Sequence, residues 1–235
     1  MQLFYNPNID HATEIFSFDK EESGHIVKVL RKKEGDILFV TNGLGLMFKT
    51  EITSASDKKC VVKILEAVSQ PKPKYELHLA VAPTKMNDRY EWFLEKATEI
   101  GVTEITPLVC DHSERKVVKT ERFDKIIQSA MKQSLHAYLP KLNTPTSFRD
   151  FMKIEPEGQK LIAHCEKTDK KSLKHTAKKN GKVTILIGPE GDFSTSEITM
   201  AIEKGYIPVT LGDARLRTET AAVAACHSIA FINEA

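Results

Sequence analysis

The stretch Gln70-Pro71-Lys72-Pro73-Lys74 divides the chain. Two prolines in three residues can neither continue a helix nor donate into a sheet, so this stretch is a connection. The residue patterns on its two sides differ. Before it come short apolar runs with tight turns: Asp36–Val40, then Asn42-Gly43-Leu44-Gly45, then Met47–Thr53, and later Cys60–Ala67. Only Ser23–Leu30, one or two helical turns, interrupts them, and such a series predicts a small β-barrel. After the linker, strands alternate with helices. Strands are predicted at Tyr75–Ala82, Ile105–Cys110, Leu161–Cys165, Ile185–Ile187 and Ile207–Leu211, an alternation that implies an α/β domain with a mainly parallel sheet. The expected division is therefore residues 1–70 and 74–235.

The helices carry their own punctuation. Tyr90, Phe93, Leu94, Ala97 and Ile100 recur at helical spacing, Asn87 or Asp88 can cap that helix, and Gly101 stops it. Trp92 on the same helix is expected in the core. A second helix is expected over Glu121–Tyr138, ending before Pro140. Ser194-Thr195-Ser196-Glu197 fits a capping box, opening a helix that Gly205 ends. The chain closes in a small-residue helix, Glu219–Ile232.

Two glycine loops follow predicted strands and lead into helices: Gly188-Pro189-Glu190-Gly191-Asp192-Phe193 and Gly212-Asp213-Ala214-Arg215-Leu216-Arg217. In open α/β sheets ligands bind outside the carboxyl ends of strands, and glycine lets backbone approach them closely. The loops are poor phosphate cradles, since Glu190 and Asp192 would repel the anion and neither a Walker signature nor G-x-G-x-x-G is present. A cationic or zwitterionic ligand with hydroxyls suits them better, and S-adenosylmethionine meets that description. Thr218 can cap the last helix and Glu219 sits well in its first turn. Arg215 and Arg217 sit just before that helix, where the dipole disfavours cations, so they point to an anionic partner: Glu190, or a nucleic-acid phosphate or base.

Composition narrows the classes. Lys and Arg number 34 against 32 Asp and Glu, a net charge of +2. That sum hides local patches: eight lysines between Lys160 and Lys182 against Glu166 and Asp169, a basic run in Val27–Lys33, and another in Arg115–Lys125. Runs such as Val183–Ile187 fall far short of the ~20 residues a membrane helix needs. Met1–Tyr5 leads straight into Asn6-Pro7-Asn8 without a signal-peptide pattern, so a cytoplasmic protein without a membrane partner is expected. Cys60, Cys110, Cys165 and Cys226 are widely spaced and expected to be reduced core thiols, and neither they nor the scattered His25, His112, His136 and His164 have metal-ligand spacing. No Gly-x-Ser-x-Gly elbow is present.

Leu186-Ile187-Gly188-Pro189-Glu190-Gly191 with Ser194 and Glu197-Ile198, then Leu211-Gly212 and Leu216-Arg217-Thr218-Glu219-Thr220-Ala221, resembles the 16S ribosomal RNA uracil-N3 methyltransferase family of the SPOUT class. His25–Arg31, Lys96–Val102 with Ile105-Thr106-Pro107, and Gln133 with Pro140 resemble further motifs of that family in the same order. The resemblance spans essentially the whole chain. It implies an N-terminal PUA-like β-barrel that binds RNA, here with Arg31, Lys32 and Lys33 as candidate contacts, and Arg115 in the following domain is a further RNA-binding candidate. It also implies a C-terminal α/β SPOUT domain with a deep trefoil knot, which binds cofactor and dimerises. The implied cofactor is S-adenosyl-L-methionine, held by His164, Leu186, Ile187, Gly188, Gly191, Leu211, Gly212, Leu216 and Thr218, with no metal. The implied substrate is 16S rRNA of the small ribosomal subunit, with Arg217 and Glu190 as catalytic candidates and a homodimer as the active form. Three positions depart from the family pattern: Asp192 where a second glycine is common, Lys132 where a glutamate often stands, and Ala137-Tyr138-Leu139 where a basic residue is usual, a role that would fall to His136 or Arg115. Two other readings stay open: a non-catalytic RNA-binding or ribosome-assembly factor of the same fold, and an enzyme of this class acting on tRNA or on a ribose 2′-hydroxyl.

Overall fold

A computed structural model describes residues 2–234. The chain forms two compact units, one of residues 1–72 with 131–139, the other of 73–130 with 140–235. The expected second domain, 74–235, is thus interrupted: Met131–Leu139 belongs with the first unit.

In the first unit, β1 (Leu3–Tyr5), β2 (Ile15–Ser17), β3 (Ile37–Thr41), β4 (Leu46–Ala55) and β5 (Cys60–Ser69) form one sheet in the order β1-β3-β4-β5-β2. Only β1 and β3 pair in parallel. Register shifts between Lys49 and Thr50 and between Ile52 and Ser54 mark bulges that bend the long β4–β5 ribbon. Phe4, Phe18, Ile26, Leu38, Val40, Phe48, Ile52 and Val62 make the core under this sheet. Helix α1 (Lys20–Gly24) starts where the Asp19 carboxylate accepts the Glu22 N–H at 2.8 Å, then widens into a π-helical turn, His25–Val29. The helical stretch therefore begins three residues before the expected Ser23.

The 42–45 turn explains why Met131–Leu139 joins this unit. Gly45 takes φ +98°, and a side chain there would run into the Tyr138 ring. Its N–H donates to Ala137 O at 3.0 Å, Gly43 O accepts from Leu139 N–H at 2.9 Å, and Thr41 Oγ1 donates to Ala137 O at 3.1 Å. Backbone groups of a turn need partners, and the 131–139 segment supplies them. The helix expected over Glu121–Tyr138 consequently ends early: α3 spans Thr120–Gln133, and Leu135 takes a left-handed φ of 60°.

The second unit holds β6 (Glu76–Val81), α2 (Asn87–Ile100), β7 (Glu104–Val109), most of α3, β8 (Lys141–Leu142), β9 (Thr146–Ser147), α4 (Phe148–Phe151), β10 (Gln159–Ala163), β11 (Lys171–Ser172), α5 (Leu173–Thr176), β12 (Lys182–Ile187), α6 (Thr195–Glu203), β13 (Ile207–Thr210) and α7 (Thr218–Asn233). The main sheet runs β11-β13-β10-β12-β6-β7-β8, with β9 pairing β7, and every pairing is parallel. The five predicted strands form its middle, and β8, β9 and β11 are two-residue additions. Parallel strands put their carboxyl ends on one side, so the loops after β6, β7, β10, β12 and β13 gather there.

Helix α2 buries Tyr90, Phe93, Leu94 and Ala97 and ends at Gly101, whose φ of +109° is costly for any side-chain-bearing residue. Its N-cap is Met86, without a side-chain bond, in place of the expected Asn87 or Asp88. Trp92 is 44% exposed and not a core residue. The Ser194–Glu197 capping box at α6 is formed as predicted, and Thr218 is the first residue of α7, with Arg217 as N-cap. Cys60, Cys110 and Cys226 are buried thiols, whereas Cys165 is exposed. No helix among the described residues is long and apolar enough to cross a membrane.

Candidate functional site

The loops after β10, β12 and β13 enclose two cavities in the second unit. One, about 300 Å³, is lined by Ile187, Gly188, Pro189, Glu190, Arg217 and Thr218. The other, about 560 Å³, is lined by His164, Lys170, Val209, Thr210 and the run Leu211–Ala214. Six residues line both: Ala163, Cys165, Asp192, Arg215, Leu216 and Ala221. The two hollows therefore share a wall, and their volumes fall within the range of about 300–1,000 Å³ typical of small-molecule sites.

A few bonds fix the loops. Thr218 Oγ1 donates to Gly188 O at 3.0 Å, joining the start of α7 to the end of β12. Gly188 and Gly191 have no positive φ; they are small because Phe193 and the His112 side chain fill the space where a Cβ would go. The left-handed position is the neighbouring Asp192, at φ 64°. Its N–H donates to Pro189 O at 2.9 Å, and its carboxylate accepts N–H bonds from Phe193 at 2.9 Å and Cys165 at 2.7 Å. Asp192 thus ties the loop after β12 to the loop after β10. Glu197, 4% exposed, accepts the N–H groups of Ser194 and Asp111, each at 2.9 Å, and so anchors the loop after β7 as well.

His164 is 6% exposed, and neither ring nitrogen has a hydrogen-bond partner among the described residues. Burial, reinforced by nearby Lys170, lowers its pKa. Lys170 Nζ donates to His164 O at 2.6 Å and to Glu166 O at 2.8 Å. A buried polar side chain without partners on a cavity wall is what a ligand would satisfy.

The predicted site residues divide as follows. Arg217 is exposed and lines the smaller cavity with Glu190; Glu190 Oε1 accepts the Lys85 N–H at 3.0 Å, and no ion pair joins it to Arg217. Ile187, Gly188, Leu216, Thr218, His164, Leu211 and Gly212 all lie on cavity walls. Leu186 packs instead into the core with Ala80, Leu108 and Ile162, and Gly191 sits against His112. In the first unit, Arg31 (φ 55°), Lys32 and Lys33 surround a shallow depression with Val27, Glu34 and Ala55. Arg115 belongs to the second unit, where its Nε donates to Val117 O at 3.2 Å. The lysines of 160–182 also separate: Lys160, Lys170 and Lys182 are engaged, while Lys167, Lys171, Lys174, Lys178 and Lys179 are exposed without an ion pair among the described residues. No group of three or more His, Cys, Asp or Glu side chains there could hold a metal. The sequence names neither Cys165 nor Lys85 as a site residue, and it marks Asp192 only as an anion of the loop standing where a glycine is expected.

Comparison with known proteins matches both units. A family described as "RNA methyltransferase domain" covers residues 70–230, and one described as "RNA methyltransferase PUA domain" covers residues 18–65. The ribosomal RNA small subunit methyltransferase E of Buchnera aphidicola is 33% identical over 226 residues, 91% of this chain and 87% of its own length. Among solved structures, one titled "probable rRNA-methyltransferase", from Porphyromonas gingivalis, superposes with a TM-score of 0.92 at 39% identity, over 99% of this chain and 98% of the other. The ribosomal RNA small subunit methyltransferase E of Neisseria gonorrhoeae, solved with S-adenosyl methionine bound, gives 0.87 at 25% identity over 99% and 98%.

Proposed function

The chain belongs to the RNA methyltransferase family, and we propose that it methylates N3 of one uridine in the 16S rRNA of the small ribosomal subunit, using S-adenosyl-L-methionine. The observation that carries this reading is the pair of cavities with a common wall, one holding the orphaned His164 and the other Arg217 and Glu190. A methyl transfer needs two adjoining binding places, for donor and acceptor. The larger cavity suits the donor: His164 offers a buried polar ring, and Leu211, Leu216 and Ala221 offer apolar wall to an adenine. Bound S-adenosylmethionine supplies an electrophilic methyl group and leaves as a neutral thioether.

The chain supplies the rest. N3 of uracil carries a proton at neutral pH, so it must lose that proton to become a nucleophile. Arg217, held at the mouth of the smaller cavity as the N-cap of α7, stabilises the resulting negative charge at a carbonyl oxygen, a contribution of about 2.7–4 kcal/mol for one well-placed donor. Glu190, fixed through one oxygen by Lys85 N–H, is the candidate base for the N3 proton. Because N3 pairs in a duplex, the target uridine must be unpaired or turned out of its stack. The first unit, with Arg31, Lys32 and Lys33, serves as a PUA-like barrel that grips RNA phosphates, with Arg115 and the five unpaired lysines of 167–179 as further phosphate contacts. The second unit is the cofactor and dimerisation domain. Its knot rests on the resemblance alone; the one bond observed there is Thr218 Oγ1 donating to Gly188 O, which joins the start of α7 to the end of β12. Trp92 and Phe231, exposed on the packed helices α2 and α7, support pairing of two copies. The work is done in the cytoplasm, where ribosomal RNA is found.

The test is transfer of labelled methyl from S-adenosylmethionine to small-subunit rRNA by the wild-type protein and by Arg217→Ala. The variant is expected to lose turnover by 100-fold or more (about 2.7 kcal/mol) while still binding cofactor by calorimetry. Near-normal turnover would remove Arg217 from the chemistry.

A further inference from the structure

We infer that Asp192 is a positioning residue for the charged donor, a fixed anion that favours a sulfonium over a thioether and so separates cofactor from spent product. This rests on the methyltransferase reading above. Left-handed backbone is uncommon for residues other than glycine, although aspartate tolerates it better than most. Here it swings the carboxylate back across the loops, where the Phe193 and Cys165 N–H groups hold it at 2.9 and 2.7 Å. The backbone behind it is held too: His112 Nδ1 lies 3.1 Å from both Gly191 O and Asp192 O. The charge is thus fixed by neutral donors, and among the described residues no cation lies within 4 Å to form an ion pair with it.

Its location gives that charge a use. The methyl group must pass from the donor cavity to the acceptor cavity, so the sulfur has to sit near their common boundary. Of the six residues lining both hollows, Asp192 is the sole anion and Arg215 the sole cation. An immobile carboxylate there attracts a sulfonium, and that attraction disappears when the methyl has left and the sulfur is neutral. Both ligands keep the same adenosine and the same amino-acid end, so only the methyl group and the charge it confers on sulfur distinguish them. Product is then released more readily than substrate.

The experiment is calorimetric titration of the full chain with S-adenosylmethionine and with S-adenosylhomocysteine, for wild type, Asp192→Asn and Asp192→Gly. Glycine suits φ 64° without strain, and a thermal melt of each variant reports whether it is folded. Wild type is expected to bind the sulfonium more tightly, and both variants to lower the affinity ratio by about tenfold, the scale of one partly screened charge pair at contact range. A ratio in wild type at or below one overturns the inference. Equal weakening of both ligands in the variants also overturns it, because a mere loop clip, or a contact to the shared amino-acid end, would act on both alike. Failure of wild type to bind either ligand would instead sink the methyltransferase reading.

Discussion

Thr218→Val probes the stitch between the two site loops with little change of shape. The hydroxyl donates to Gly188 O at 3.0 Å, and Thr218 is only 4% exposed. Valine fills the same volume, so no cavity opens; the change removes one neutral hydrogen bond and leaves a buried carbonyl without its donor. A buried group orphaned in this way costs about 1–3 kcal/mol. Taking about 2 kcal/mol, the melting temperature should fall by about 4–8 °C for a chain of this size. The freed Gly188 loop should also weaken S-adenosylmethionine, by roughly tenfold if about 1.4 kcal/mol is spent on reordering the loop. Thermal melts followed by circular dichroism and calorimetric titration measure both effects. A melting point within 1 °C of wild type (roughly 0.3 kcal/mol by the same scaling), with unchanged affinity, would show that the stitch holds nothing.

Replacing Lys167, Lys171, Lys174, Lys178 and Lys179 with glutamine should weaken RNA binding and flatten its dependence on salt, by about 0.7 in log–log slope for each single-stranded phosphate no longer neutralised; an unchanged slope would remove this edge from the RNA surface. Burial lowers the pKa of His164 and of His78, whose Nε2 lies 2.7 Å from Thr106 Oγ1. Both rings are therefore kept neutral by the fold. Their contribution is fully present above the ordinary value of 6.5 and is lost as pH falls from there through the lowered values. The urea midpoint of wild type should drop between pH 6.5 and 5.5, and less so in a His78→Gln, His164→Gln double variant (about these two pH values, since unperturbed histidine titrates there); equal drops would show that these rings are not the cause.

Local signals carried much of the fold. The Ser194–Glu197 box and the Gly101 stop were legible because each depends on residues three or four apart. Trp92 was misplaced against the same logic: Tyr90, Phe93, Leu94 and Ala97 define one face of α2, and position 92 falls off it. The early end of α3 was not legible, because the partners of Met131–Leu139 lie some ninety residues away, at Thr41, Gly43 and Gly45. The loops after β12 and β13 are legible from their glycines and their place after strands, and their individual site residues from the family motif. Their grouping into two cavities with a common wall depends on which strands neighbour one another, and that order, β13-β10-β12-β6, is set by the whole sheet. Asp192 illustrates the difference. In sequence it was a departure from glycine; in the folded chain it does the conformational work of that glycine and adds a carboxylate that clips two loops together.

The central claim concerns one atom of one base, so the most direct measurement is mass spectrometry of small-subunit rRNA. Ribosomal subunits from cells lacking this protein, incubated with the purified chain and S-adenosylmethionine, should gain a single N3-methyluridine in 16S rRNA, and none with Arg217→Ala. A methyl group on a ribose, on tRNA alone, or on no nucleotide at all would contradict the account.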